Sequence, residues 1–301
     1  MTKVLITGSA GFIAPHVVEE CLNRGWEVTC IDIKEEKNKK NNVNYIVKDL
    51  RLLKDNEITN VDYVVHLAFV TNIPNSIKNP IETTRDNIEM TTILMDIAQR
   101  NNIKKFIFPS TASLFGNNPI PWKESMPADP IEPYSWQKLS CEFLCKMWTI
   151  RYGLPTCSFR LFQVFGENQR SDTAMAAFFR SRLEGKPLTL TETTAQSSFR
   201  TGRRDFIYVK DVAKAFVEAM LSNKTGKGEI INIGSGKMTS MEEIANAIGG
   251  EIKFISKRNF EVECHQADIT LALKLLNNWK PTVDVIPWLK KFVENNLKEN
   301  L

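Results

Sequence analysis

Short runs of β-branched and aliphatic residues alternate with longer stretches of helical period through the first half of the chain. That alternation predicts a parallel sheet wrapped by helices. Strands are expected at 3–7, 27–32, 44–47, 63–67, 105–109 and 156–162. Helices fit 12–24, ended by Gly25, then 88–100 and 135–152. The segment 34–44 is charged, Asn-rich and without period, which predicts a solvated loop.

Beyond Gly166 the pattern changes. A helix is expected at 174–184, and the polar, Thr/Ser-rich stretch 189–202 reads as a loop. A strand at 205–209, a helix at 211–222, a strand at 230–233 and a helix at 240–247 follow. On this reading the sheet is completed late, by 206–209, with 230–233 as a further candidate strand. The expected fold class is α/β: a doubly wound parallel-sheet Rossmann domain with a smaller C-terminal α/β substrate lobe. The expected division assigns 1–166 plus about 204–233 to the dinucleotide-binding domain. The lobe then takes 167–203 plus 234–301.

The first strand runs into Thr7-Gly8-Ser9-Ala10-Gly11-Phe12-Ile13-Ala14. Glycines at 8 and 11 permit a tight turn and close approach of backbone N–H groups to a pyrophosphate at a helix start. Ala14 stands where a third small residue is wanted for helix–strand packing, and Pro15 falls in the first helical turn, where its missing N–H costs little. Asp32 closes the next strand. A carboxylate there accepts both ribose hydroxyls of NAD and repels a 2′-phosphate, while Lys34 and Lys37 nearby leave NADP open. Gly8, Gly11, Phe12, Ile13 and Asp32 are therefore cofactor-site candidates.

Composition adds limits. Apolar residues make up 43% and charged residues 25%, ordinary for a globular protein. A net charge of +4 suits a phosphate-bearing ligand and is too small to argue for nucleic acid. The apolar stretch 63–70 is short and carries His66, so no membrane span is expected. Met1-Thr2-Lys3 runs straight into the first strand, so no secretory signal is expected. Cys21, Cys30, Cys141, Cys145, Cys157 and Cys264 show no metal spacing, so reduced, mostly buried thiols, no metal site and a cytoplasmic location are expected. His16, His66 and His265 have no partners in sequence and receive no chemistry.

Tyr134-Ser135-Trp136-Gln137-Lys138 sets a phenol and an ammonium one helical turn apart, on one face. A free phenol, with a pKa of about 10, is a poor base at neutral pH; an adjacent positive charge favours the phenolate. Upstream, 108–116 reads as a strand opening into a hydroxyl-rich loop containing Ser110, Thr111 and Ser113.

With these motifs together the chain resembles an extended short-chain dehydrogenase/reductase of the NAD-dependent nucleotide-sugar epimerase/dehydratase kind. The matching positions run nearly end to end: Gly8/Gly11, Asp32, Asp49-Leu50, His66-Leu67-Ala68, Asn87, the loop 110–116, Tyr134/Lys138, 160–166, Arg204-Asp205-Phe206 and Asn232-Ile233-Gly234. The resemblance implies that Thr111 hydrogen-bonds the sugar hydroxyl being oxidised, that Tyr134 takes its proton, and that Lys138 holds the nicotinamide ribose. It implies that Asp49 and Leu50 lie along the adenine, and it extends the cofactor site to Leu67 and Ala68. It further assigns Gln163, Arg204 and Arg258 to the nucleotide-sugar substrate.

Departures narrow the chemistry. Dehydratases of the family usually carry an Asp-Glu pair just after the catalytic Thr, and decarboxylases a nearby Glu; here Ala112 and Ser113 stand there. Loss of those carboxylates disfavours elimination and leaves epimerisation, most often at C4 through a 4-keto intermediate. A 4-keto reductase or dehydratase on the same scaffold is the enzyme alternative, and an idle NAD(P)-binding sensor the non-enzyme one. Phe115 replaces the tyrosine usual before Gly116, and Gln163 stands where an asparagine normally meets the diphosphate. The longer segment 192–203 adds Arg200 and Arg203, open between a solvated loop and a ligand role. Helices 88–100 and 135–152 carry Met90, Leu94, Ile97, Leu139, Phe143, Met147 and Trp148. These face either the chain's own core or a second copy in a homodimer, as the family commonly pairs these helices.

Overall fold

Val4 and Ile6 pack into one hydrophobic cluster and Leu5, between them, into another. Strand alternation sends neighbours to opposite faces, so a strand apolar at every position must be covered on both. This is β1 (Lys3–Thr7), the centre of the molecule in a computed structural model that describes residues 1–194, 197–256 and 262–298. The chain continues through α1 (Ala14–Asn23), β2 (Glu27–Asp32), β3 (Val43–Val47) and β4 (Tyr63–His66). Next come α2 (Ile73–Lys78), α3 (Pro80–Arg100), β5 (Lys105–Thr111), α4 (Pro133–Tyr152), β6 (Thr156–Leu161) and β7 (Gln163–Phe165). Then follow α5 (Ala174–Leu183), β8 (Leu188–Thr191), β9 (Arg203–Tyr208), α6 (Val209–Leu221) and β10 (Glu229–Ile233). The chain closes with β11 (Met238–Ser240), α7 (Met241–Ile248), β12 (Ile252–Ile255), α8 (Thr270–Leu275) and α9 (Val285–Lys298).

Seven parallel strands form the main sheet in the order β10-β6-β5-β4-β1-β2-β3. Helices α1 and α6 cover one face, α3 and α4 the other. The order reverses between β1 and β4, and in open α/β sheets the ligand crevice lies at the carboxyl ends of strands at such a point. The doubly wound fold is as expected, with one correction to its edge. Residues 206–209 do not complete the main sheet: β9 pairs parallel with β7 and antiparallel with β11 in a separate three-stranded sheet. The edge is β10, whose Ile231 lies opposite Phe159 of β6. An apolar run such as Phe206-Ile207 looks the same whichever sheet takes it up.

The segment read as a polar loop also begins with a strand. Leu188 and Leu190 are buried while Thr189 between them is exposed, a period of two carried by only four residues. β8 pairs in parallel with β12, which its sequence did not announce, and both pack into the smaller core with α5, α7 and α9. Elsewhere boundaries shift. β5 runs on through Pro109 to Thr111 because pairing with β4 ends at Ile107 while pairing with β6 continues. A proline is tolerated where one flank of a strand has no ladder partner. Helix α3 begins at Pro80, well before residue 88, with proline in its first turn.

The seven apolar residues of α3 and α4 divide. Leu94, Ile97 and Trp148 are buried in the chain's own core, and Met90 and Leu139 pack against it. Phe143 and Met147 face outward, joined on α4 by Trp136 and Ile150.

Candidate active site

Gly8 adopts a φ of +70°, which favours glycine, and a Cβ there would stand 2.5 Å from the backbone N of Ala68. The turn is closed by hydrogen bonds from Gly8 N to Ile31 O (2.8 Å) and from Gly11 N to Gly8 O (3.0 Å). Phe12 and Ile13 lie in the bend, and α1 begins only at Ala14. No side chain caps α1; Pro15 has no N–H and His16 N donates to Ile13 O at 3.2 Å, which leaves the bend at 11–14 as the part of this helix start that can offer N–H groups to an anion. At the end of β2, Asp32 accepts from Ala10 N (3.0 Å) and Lys34 N (2.8 Å), which seats its carboxylate beside the turn. The glycine cradle, the uncapped helix and this carboxylate fit the pyrophosphate and adenosine ribose of NAD. Leu67, whose N–H donates to Thr7 O at 3.2 Å, and Ala68 form the opposite lip. Leu50 is buried at the edge of the second core, and the carboxylate of Asp49 is taken up by Arg51, including Nη2 at 2.6 Å.

Thr111 ends β5, while Tyr134 and Lys138 occupy the first turns of α4. Glu132 starts that helix by accepting from Ser135 N through both carboxylate oxygens at 3.1 Å. The structure brings all three residues together. The Thr111 hydroxyl lies near enough to Tyr134 to draw its phenol pKa down, and it donates to Ser113 Oγ at 3.1 Å. The Lys138 ammonium donates to Pro109 O at 2.6 Å and stands 3.7 Å from the centroid of Phe69. The Tyr134 ring meets Phe69 edge-on, with centroids 6.1 Å apart.

Burial pushes the Tyr134 phenol up to about 12 and pulls the Lys138 ammonium down to about 7. What draws Tyr134 back is the Thr111 hydroxyl and the charge of Arg170, while Glu132 opposes them. Arg170 escaped the sequence reading. It lies in the connection after β7, ion-paired with Asp172 and donating to Thr71, and no local spacing ties it to Tyr134. Asn87 and Gln137 brace the site: Asn87 accepts from Val70 N (2.7 Å) and donates to Gln137 Oε1 (2.8 Å).

On the substrate side, Gln163 is exposed on β7, and Arg204 lies on β9 with Nη1 donating to the carbonyls of Arg203 and Glu263, both at 3.0 Å. Arg258 lies outside the described residues. In the Thr/Ser-rich segment Glu192 and Thr201 form an antiparallel bridge, and Thr193 N donates to Arg200 O at 2.9 Å. Its arginines are engaged within the lobe. Arg200 stands 3.4 Å from the Phe254 centroid, and Arg203 stacks over Phe199 near Glu243. Beside them, Asp205 accepts from Ser235 N, Ser235 Oγ, Gly236 N and Ala267 N at 2.6–3.0 Å, tying β9 to the turn after β10. Ala112 is buried and Ser113 is bound to Thr111, so the two positions after Thr111 supply no carboxyl group.

The chain is 30% identical to a putative UDP-glucose 4-epimerase of Methanocaldococcus jannaschii, the match covering 99% of both proteins. Its fold superposes on a UDP-N-acetylglucosamine 4-epimerase from Methanobrevibacter ruminantium, solved with UDP-N-acetylmuramic acid, with a TM-score of 0.88 and 29% identity over 99% of each chain. It also matches a UDP-glucuronic acid 4-epimerase from Bacillus cereus, solved with UDP-glucuronic acid and NAD, with a TM-score of 0.86 and 27% identity over 98% of this chain and 100% of that one. The sequence profile of the NAD dependent epimerase/dehydratase family matches residues 4–234. The glycine turn and the Thr111, Tyr134 and Lys138 cluster fall within that span, and the chain belongs to the NAD-dependent epimerase/dehydratase family.

Proposed function

We propose that the protein is an NAD-dependent 4-epimerase of a UDP-sugar. The observation that carries this reading is the meeting of Thr111, Tyr134 and Lys138 at the end of β5, across from the glycine cradle. Thr111 orients the C4 hydroxyl, and Tyr134 accepts its proton and later returns it to the 4-keto oxygen. Bound NAD supplies the hydride acceptor and donor, so net redox is zero. Lys138 holds the nicotinamide ribose, and its charge with that of Arg170 favours the phenolate. Gly8, Gly11, Phe12, Ile13, Asp32, Asp49, Leu50, Leu67 and Ala68 hold the dinucleotide, and Asp32 selects NAD over NADP. Gln163 and Arg204 bind the nucleotide diphosphate, where an arginine supplies charge-assisted donors.

In the same reading, 1–166 plus about 204–233 carry the cofactor and the remaining segments the sugar nucleotide. Packing of α6 against α1 in one core supports that division. Free, mostly buried cysteines support the cytoplasm as its compartment. Among the described residues, no helix is long and apolar enough to cross a membrane. A homodimer through α3 and α4 is supported by the outward stripe Trp136, Phe143, Met147 and Ile150, with Phe143 65% and Ile150 73% exposed. Phe143→Asp combined with Ile150→Asp is expected to convert a dimeric mass in solution to a monomeric one; a wild type already monomeric at micromolar concentration overturns the assembly.

The function is tested by offering UDP-glucose, UDP-glucuronate and UDP-N-acetylglucosamine to the purified protein without added cofactor. The expected result is interconversion of one of them with its C4 epimer, with NAD retained on the protein. Tyr134→Phe is expected to abolish that conversion while keeping NAD affinity. Steady oxidation of NADPH on a 4-keto sugar, without epimer formation, overturns the reading in favour of a reductase.

A further inference from the structure

His66 is fully buried at the end of β4, its ring beside Phe106 and Phe108 at centroid distances of 5.8 and 6.1 Å. An imidazole so placed needs a partner for each nitrogen. Nδ1 lies 2.8 Å from Thr7 Oγ1, and Nε2 lies 3.1 Å from Thr91 Oγ1.

The direction of these bonds follows from their ends. Ala68 N–H can only donate, and it donates to Thr7 Oγ1 at 3.2 Å. The Thr7 hydroxyl proton then goes to Nδ1, which places the ring proton on Nε2. Thr91 Oγ1 accepts that proton, and its own hydroxyl donates to Asn87 O at 2.7 Å. In this order every proton has an acceptor; reversed, the Thr7 hydroxyl proton has none among these groups. The ring is therefore neutral and held in one tautomer.

The two ends of this run matter. Thr7 precedes Gly8, and Ala68 N is the atom that a Cβ on Gly8 would strike at 2.5 Å. At the other end, the Asn87 side chain binds Gln137, which donates to Thr83 Oγ1 (3.1 Å) and Thr84 Oγ1 (3.0 Å). Gln137 sits on α4 between Tyr134 and Lys138. Buried directed bonds thus lead from the dinucleotide turn to the helix that carries the reactive pair.

We propose that His66 is a positioning residue, a neutral ring protonated on Nε2 that sets the glycine turn against the helix bearing Tyr134 and Lys138. The inference rests on the reading of those two residues as the catalytic pair. Its two bonds then serve different ends of the site. Thr7→Val, nearly isosteric, cuts the link to the turn and is expected to weaken NAD binding about five- to tenfold with a smaller change in kcat. Thr91→Val cuts the link to α3 and is expected to lower kcat about five- to tenfold with NAD affinity within about threefold.

The tautomer is read without any change at His66. With three histidines in the chain, signals in long-range 1H–15N spectra are assigned by replacing His16 and His265 singly with Gln. The expected pattern for His66 at neutral pH is that of an Nε2–H imidazole. A ring protonated on Nδ1 or on both nitrogens overturns the proposal. So do folded Val variants in which NAD affinity and kcat move together or not at all. Should no UDP-sugar turn over, the epimerase reading fails, while the tautomer and the NAD titration of Thr7→Val still decide the role of His66.

Discussion

The ammonium of Lys138 donates to the carbonyl of Pro109 at 2.6 Å, stapling the first turns of α4 to the strand that ends in Thr111. A charge this buried is costly: burial lowers its pKa to about 7, and the aromatic faces of Phe69 and Phe108 offset only part of that cost. Lys138→Met keeps the length and removes the charge. It is expected to lower kcat at least about a hundredfold while the melting temperature holds or rises. A variant that turns over at the starting rate removes Lys138 from the mechanism.

Gly8 and Gly25 share a φ of +70°, yet a Cβ on Gly25 would meet nothing within 4 Å whereas one on Gly8 would meet Ala68 N at 2.5 Å. Gly25→Ala is expected to cost about 1 kcal/mol of stability, the strain of the left-handed backbone alone. Gly8→Ala adds a clash with backbone that cannot yield, so a larger loss, about 2–3 kcal/mol, should accompany at least a tenfold drop in NAD affinity. Urea unfolding and calorimetric titration of the pair separate the two contributions. Equal effects on NAD affinity would dissociate Gly8 from the cofactor.

Arg160 on β6 and Glu142 on α4 form a two-pronged ion pair at 3.0 and 2.8 Å, with side chains 4% and 1% exposed. Breaking one partner leaves the other charge buried and alone. Glu142→Leu is therefore expected to destabilise by about 3–5 kcal/mol, while adding Arg160→Met recovers most of the loss. Denaturant midpoints of the single and double variants measure the coupling.

Stability should also fall in acid. Burial holds His66 neutral down to about 3 in the folded protein, whereas an unfolded histidine takes its proton near 6.5. Between these values the unfolded chain binds more protons, so stability drops as pH falls, by up to about 1.4 kcal/mol per pH unit for this group. Lys138 acts with the same sign in a higher window. Its folded value of about 7 lies below the ordinary 10.5, so stability rises with pH between the two. Unfolding free energies are expected to rise from pH 5 to pH 7. Above that the buried thiols of Cys21, Cys30, Cys141, Cys145 and Cys157, pushed up by burial, act with the opposite sign, so Lys138→Met should lower the stability at pH 9 relative to pH 7.

Much of the site was legible before any coordinate. The turn at Gly8, the acid at Asp32 and the Tyr134/Lys138 spacing each lie within one strand–turn–helix unit or one helical turn. Local period and residue type suffice to read such features. Arg170 was not legible, because its effect on Tyr134 depends on how the connection after β7 folds back to Thr71, far from it in sequence. Nor were β8 and β12, each four residues long, since neither makes an apolar face without the other.

The sequence by itself determined which segments are strand or helix through the first half, where the dinucleotide turn sits, and which side chains can do chemistry. Tertiary structure alone decided that β9 leaves the main sheet, that Arg200 and Arg203 stack on the lobe's own aromatic rings, and that Arg160 finds Glu142. It also decided the wiring of His66 between Thr7 and Thr91. The reason is physical. Periodicity reports the face a residue presents, while the partner it meets there is chosen by long-range packing, which nearby residues do not encode.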